Sequence, residues 1–185
     1  MNFNKHSEFL GMHAFLGASK YHWLNYDTEK LATTWHNQNA AAHGTRLHAL
    51  ASELITLGVK LPRNDKTLNR YVNDAIGYKM TPEVPLVYSI NAFGTADAIG
   101  FKNGRLRIHD LKTGVTRANV LQLYIYAAFF CLEYRLKPGE IDFELRIYQN
   151  DEVFVDTPEA DDILPVIDKI ITFDKFIEKM KAEAL

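Results

Sequence analysis

The dipeptide Asn103-Gly104 lies between FGTADAIGFK and RLRIHDLK, two runs rich in strand-forming residues. Asn-Gly accepts the positive φ angles of a two-residue turn, so it commits this stretch to a β-hairpin. A fixed turn also fixes the register. Lys102 faces Arg105, and every opposed pair further out keeps the same sum of residue numbers. Asp97 then faces Asp110 as a non-hydrogen-bonded pair, with Cβ atoms about 4.5–5.5 Å apart. Lys112 projects from the same face, which otherwise carries Phe93, Ile99, Phe101, Leu106 and Ile108. An apolar surface thus ends in two carboxylates that repel each other. A divalent cation relieves such repulsion, because hard cations take carboxylate oxygens. This reading makes Asp97 and Asp110 metal ligands, where the plainer alternative is a solvated ion cluster around Lys112.

The remaining periodicities frame the hairpin. Residues 28–57 read as helix in two pieces, the second opening near Gly44-Thr45 with Leu47, Leu50, Ala51 and Leu54 as its buried stripe. A helix over 66–79 repeats that spacing. Pro82 and Pro85 disfavour helix, so TPEVP is expected to break the pattern before strands at 86–92, 93–102 and 105–112. Helix returns over 117–134 with Thr116 as its N-cap. A strand at 141–148, a turn at Gln149-Asn150-Asp151, a strand at 152–155 and a helix introduced by Thr157-Pro158 complete the chain. The expected fold is a single α/β or α+β domain over residues 1–185, a mixed sheet flanked by helices in the order α-β-β-β-α-β.

Composition removes several function classes. The single cysteine, Cys131, rules out both a disulfide framework and a four-cysteine cluster. No apolar run approaches the roughly 20 residues that cross a bilayer, and MNFNKHSEFLGMH lacks the charged-then-apolar order of a signal peptide. A cytoplasmic protein without a membrane partner is expected. The formal net charge of −2 gives no global positive field, so nucleic-acid binding would need a local patch. Lys102, Arg105 and Arg107, with Arg46 and Arg117, offer one. Decoration of a hairpin edge against aggregation explains the first three equally well.

Taken in chain order, GTRLH (Gly44 to His48), Gly94-x-x-Asp97, Asp110-Leu111-Lys112 and Gln122-x-x-x-Tyr126 resemble the motifs of the PD-(D/E)XK nuclease superfamily, in particular its RecB-like exonuclease branch. FLGASKYHWL is similar to the serine-containing segment that opens such domains. The resemblance covers roughly residues 40–130 and implies a restriction-endonuclease-like core. Ala96 replaces the proline of the family name, and the acidic residue of D-x-K is Asp110 rather than Glu; both are ordinary for the branch. Without further cysteines no iron–sulfur cluster is expected.

The resemblance implies that Asp97, Asp110, the Leu111 carbonyl and His48 hold Mg²⁺ or Mn²⁺, and that Lys112 acts on the attacking water or on the developing phosphorane charge. An imidazole ligand suits Mn²⁺ better than Mg²⁺. Gln122 and Tyr126, four apart on one helix face, would meet substrate or the catalytic centre. Tyr124, Ile125, Phe129 and Phe130 read as core. Glu83 resembles an acidic position of the family, although two flanking prolines equally suit a plain loop. The implied activity is metal-dependent hydrolysis of DNA, by an exonuclease acting on ends in recombination, repair or phage replication. A structure-selective endonuclease and a non-catalytic nucleic-acid-binding module stay open as alternatives. So do a second copy of the chain and a recombination protein as partners beside DNA.

Overall fold

Asn103 (φ 53°) and Gly104 (φ 76°) close the expected turn between β2, Ala92–Lys102, and β3, Arg105–Leu111. The register is the one the turn dictates, with Lys102 opposite Arg105 and Ala98 opposite His109. In this computed structural model Ser7 and residues 13–183 are described. The opening stretch MNFNKHSEFLGMH therefore lies outside the described residues, save Ser7 and His13.

The chain divides into two compact units, Met1–His43 and Gly44–Leu185. Among the described residues of the first, a 3-10 helix over Ala18–Asn25 precedes helix α1, Thr28–Leu57. Asp27 caps α1 by accepting the Lys30 amide at 2.7 Å. The Phe15 ring meets Trp35 edge-on at 5.1 Å, and the Trp23 indole donates to the Gly17 carbonyl. The FLGASKYHWL segment lies in this unit, with Ser19 exposed. The unit boundary falls inside α1, which is one continuous helix rather than the two pieces expected.

The second unit adds α2 (Thr67–Tyr78), β1 (Thr81–Ser89), β2, β3, α3 (Leu121–Tyr134), β4 (Asp142–Gln149), β5 (Glu152–Asp156) and α4 (Ala160–Glu183). The strands form one sheet in the order β1-β2-β3-β4-β5. Only β3 and β4 run parallel; the other neighbours are antiparallel. The fold is α+β, a mixed sheet flanked by helices. Leu106, Ile108, Leu145 and Ile147 face α3 and α4 in one apolar core, where Phe129 and Phe130 are buried. Leu111, Ala98 and Tyr148 face a second core with Ala51 and Ile55 of α1 and Tyr71, Val72 and Ala75 of α2. Among the described residues, no helix is long and apolar enough to cross a membrane.

Two boundaries and one burial assignment differ from the sequence expectation. β1 begins at Thr81, so TPEVP is strand: Pro82 pairs with Ala98 and Pro85 with Thr95. An edge strand tolerates proline because the missing N–H need not serve a neighbour. Helix α3 starts at Leu121, with Val120 rather than Thr116 at the cap. Gln149 holds the preceding loop open by donating to the Gly114 and Thr116 carbonyls and accepting the Ala118 amide, which removes those groups from a helical ladder. Phe93 and Phe101, assigned to an apolar face, are exposed at 60% and 45% of their surface.

Candidate metal centre

The sheet breaks its own rules at one level. In β1, Glu83 adopts φ 51°, a left-handed conformation that a non-glycine residue rarely takes. Across from it in β2, Ala96 and Ala98 lie on different cores although they are two residues apart, so the pleat slips at Asp97. The β2–β3 pairing ends at Ala98 and His109, one residue before the two aspartates face each other. Beyond that point the Leu111 amide donates to Asp97 Oδ2 at 2.8 Å, so a side-chain carboxylate takes the place of a ladder carbonyl. Backbone departures of this kind concentrate where a site dictates geometry.

The side chains gathered there come from five elements, α1, β1, β2, β3 and α3. His48, on α1, places Nδ1 3.4 Å from Asp97 Oδ2. One ligand atom each from His48, Glu83 and Asp97 lies within 4.8 Å of the other two. Asp110, on β3, is not one of that trio, but it is buried except for 2% of its surface and feels the charges of Asp97 and His48. Lys112 Nζ meets Asp110 Oδ1 at 3.1 Å and Gln122 Oε1 at 2.8 Å, and Gln122 Nε2 reaches the Tyr126 hydroxyl at 3.2 Å. Gln122 and Tyr126 thus bond to each other, and Gln122 fixes the lysine.

Two glycines make this convergence sterically available. A Cβ on Gly94 would stand 2.9 Å from Tyr126 Cε1, and one on Gly44 would stand 2.7 Å from Thr113 Oγ1. Helix α3 lies close over β2 at the first, and α1 close to the strand end after Lys112 at the second.

The charges do not balance. Three carboxylates face one ammonium and an imidazole. Burial holds Asp110 above the usual carboxylate range, and the Asp97 charge adds to this against the opposing pull of Lys112. Glu83 is raised by burial and then by Asp97. His48 is raised chiefly by its hydrogen bond to Asp97, with Asp110 and Glu83 contributing. Asp110 Oδ2 is buried with no hydrogen-bond partner among the described residues, although Lys112 Nζ lies 3.1 Å away as an ion pair. A buried carboxylate whose two oxygens share one ammonium, near two further carboxylates and an imidazole, fits a divalent metal ion. It is a set of hard oxygen donors with one nitrogen.

Leu111 is buried, and its amide binds Asp97. Arg46 is exposed on α1. Arg117 lies over the Phe154 ring at 6.0 Å and lines a cavity of about 620 Å³ that includes none of His48, Glu83, Asp97, Asp110 and Lys112. Glu83 is the residue sequence reasoning underrated. Its signal was the register itself, which sets position 83 opposite Asp97 once TPEVP is taken as strand.

Searches against protein-family models and against curated proteins return no match to this chain.

Proposed function

We propose that this protein is a metal-dependent DNA nuclease of the PD-(D/E)XK type, most plainly a RecB-like exonuclease. The observation that carries the reading is the meeting of Glu83, Asp97, Asp110 and His48 with Lys112 where β1, β2 and β3 depart from regular pairing. The order of motifs along the chain supports it independently.

In this reading Asp97, Asp110 and His48, with Glu83 and the Leu111 carbonyl, hold Mg²⁺ or Mn²⁺. When bound, the ion polarises the scissile phosphate and lowers the pKa of water. The chain's own residues do the rest. A lysine ammonium has three donors, and Lys112 turns them towards both oxygens of Asp110 and towards Gln122. When a metal ion takes up the Asp110 carboxylate, the ammonium has a donor to orient a water or to neutralise charge developing on the phosphate. Gln122, tied to Tyr126, keeps that donor aimed. Arg46 and Arg117 are phosphate contacts farther along the substrate.

Incubating the protein with Mn²⁺ and end-labelled linear or covalently closed circular DNA tests this. An exonuclease degrades the linear form and spares the circle. Cutting of the circle assigns an endonuclease. Intact DNA together with no Mn²⁺ uptake by calorimetry leaves a non-catalytic module and overturns the proposal.

A further inference from the structure

At the closed end of the hairpin a cleft of about 400 Å³ is lined by Gly77, Tyr78, Lys79, Lys102, Arg105 and Arg107, with Asp142 as its one acidic lining residue. The cations come from three segments: the C-cap of α2, the end of β2 and the start of β3. Arg105 pairs with Asp142 at 3.2 Å, and Arg107 pairs with Glu144 at 3.2 Å while lying over the Tyr78 ring at 4.5 Å. Lys79 and Lys102 have no ion pair among the described residues. Four converging cations against one lining carboxylate stand out in a chain of net charge −2.

Protection of a sheet edge does not explain the whole cluster. Hairpin edges carry lysines to deter pairing with other chains, which suits Lys102, beyond the last β1 partner at Ile99; but Arg105 and Arg107 lie where β3 is covered by β4, and Lys79 caps a helix. Nor do Lys79 and Lys102 hold the fold together, since neither is buried or bonded to a carboxylate.

We infer that this cleft docks the phosphate backbone of the DNA being cut, an inference that rests on the nuclease reading above. Free ammonium groups bind phosphate as point charges, and the guanidinium of Arg107 is held in one plane by Tyr78 and Glu144. Lys102 lies five steps along β2 from Asp97, about 16 Å at ~3.3 Å per residue. That equals about five base pairs of duplex at ~3.4 Å each. DNA engaged at both places therefore extends about five base pairs from the scissile bond.

The test is fluorescence anisotropy of a labelled duplex of roughly 20 base pairs, in EDTA and across a salt series, with wild type, Lys79→Gln/Lys102→Gln and Lys102→Gln alone. Thermal melts confirm that the variants fold. Two lost phosphate contacts should weaken binding about tenfold or more at about 0.1 M salt and make the slope of log K against log salt shallower by about 1.8. The single variant should lose about half that slope. Unchanged affinity and slope, from a wild type that cleaves DNA, overturn this inference alone. A wild type that neither binds nor cleaves DNA overturns the nuclease reading and this inference with it.

Discussion

Two clusters of charge lie on the same sheet and obey opposite rules. Around Arg146, cations and carboxylates balance, although Arg107 Nε, like Asp110 Oδ2, has an ion pair without a hydrogen bond among the described residues. Arg146 reaches Asp74 at 3.2 Å, Glu144 at 2.8 Å and the Tyr78 hydroxyl at 2.8 Å. Arg107 closes on Glu144 from the other side, and the Tyr148 hydroxyl donates to Asp74 at 2.7 Å. Burial pushes Glu144 up, but Arg107 and Arg146 outweigh it and hold it below the ordinary range. Around Asp97 the balance is reversed, and Asp110 and Glu83 are held above that range. Both clusters are built from carboxylates and cations on neighbouring strands. The difference teaches that partial burial alone does not mark a site; burial with a deficit of counter-charge does. His109, fully buried between the clusters on β3, is pushed down to about 3 by burial and by Arg146 and Arg107, and so stays neutral.

Asp110→Asn gives the sharpest break of this comparison. It keeps the shape and removes one of the opposed charges. DNA cleavage should fall about 10³-fold, since the metal site supplies several kcal/mol of transition-state stabilisation. Melting in EDTA should be no lower than wild type, while the gain on adding Mn²⁺ disappears. A variant that melts lower in EDTA and still gains from Mn²⁺ would place Asp110 in the paired class instead.

Arg146→Met should act in the opposite sense. It leaves Glu144 and Asp74 without their cation, costing about 2–3 kcal/mol of stability, read by urea denaturation. Metal-induced stabilisation should persist. If the variant folds as firmly as wild type, the Arg146 cluster is not held by its pairing.

Gly94→Ala probes the packing that brings α3 to the aspartates. The added Cβ must displace the Tyr126 ring, at a cost of about 1–2 kcal/mol. Tyr126→Leu on the same background should recover part of the loss. Additive losses in that double-mutant cycle would show that ring and glycine do not meet.

The smallest effect belongs to the exposed clasp between α2 and the β4–β5 turn. Asp151 accepts from Lys66 Nζ at 2.8 Å and from the Thr67 amide at 2.9 Å, and its own amide donates to Thr67 Oγ1 at 2.7 Å. Lys66 first, then the Thr67 amide, hold its carboxyl down to about 2. A depressed folded pKa contributes stability above the unfolded value, and that stability is lost as pH falls through the folded value. Asp151→Asn should therefore melt slightly below wild type near neutral pH, with the two curves converging as pH drops from about 4 towards about 2. A constant difference across that window would mean that the charge is not what matters.

The sequence by itself determined the hairpin, because Asn103-Gly104 admits one turn and one register. It also determined the helical stripe of α2 and the core placement of Phe129, Phe130 and Leu106, since hydrophobic period is local and strong. The spacing Asp110-Leu111-Lys112 placed the lysine beside the carboxylate on one face, which the 3.1 Å contact repeats. What lay beyond the sequence depended on contacts distant along the chain. Gln149, over thirty residues away, keeps Thr116 from capping α3. The edge position of β1 turns two prolines from a break into a strand, and only then does Glu83 come opposite Asp97. The slip at Asp97, the left-handed backbone at Glu83 and the close approaches at Gly44 and Gly94 are decided by packing between elements. Residue identity names which positions carry charge; the tertiary structure alone sets where those charges fall out of balance.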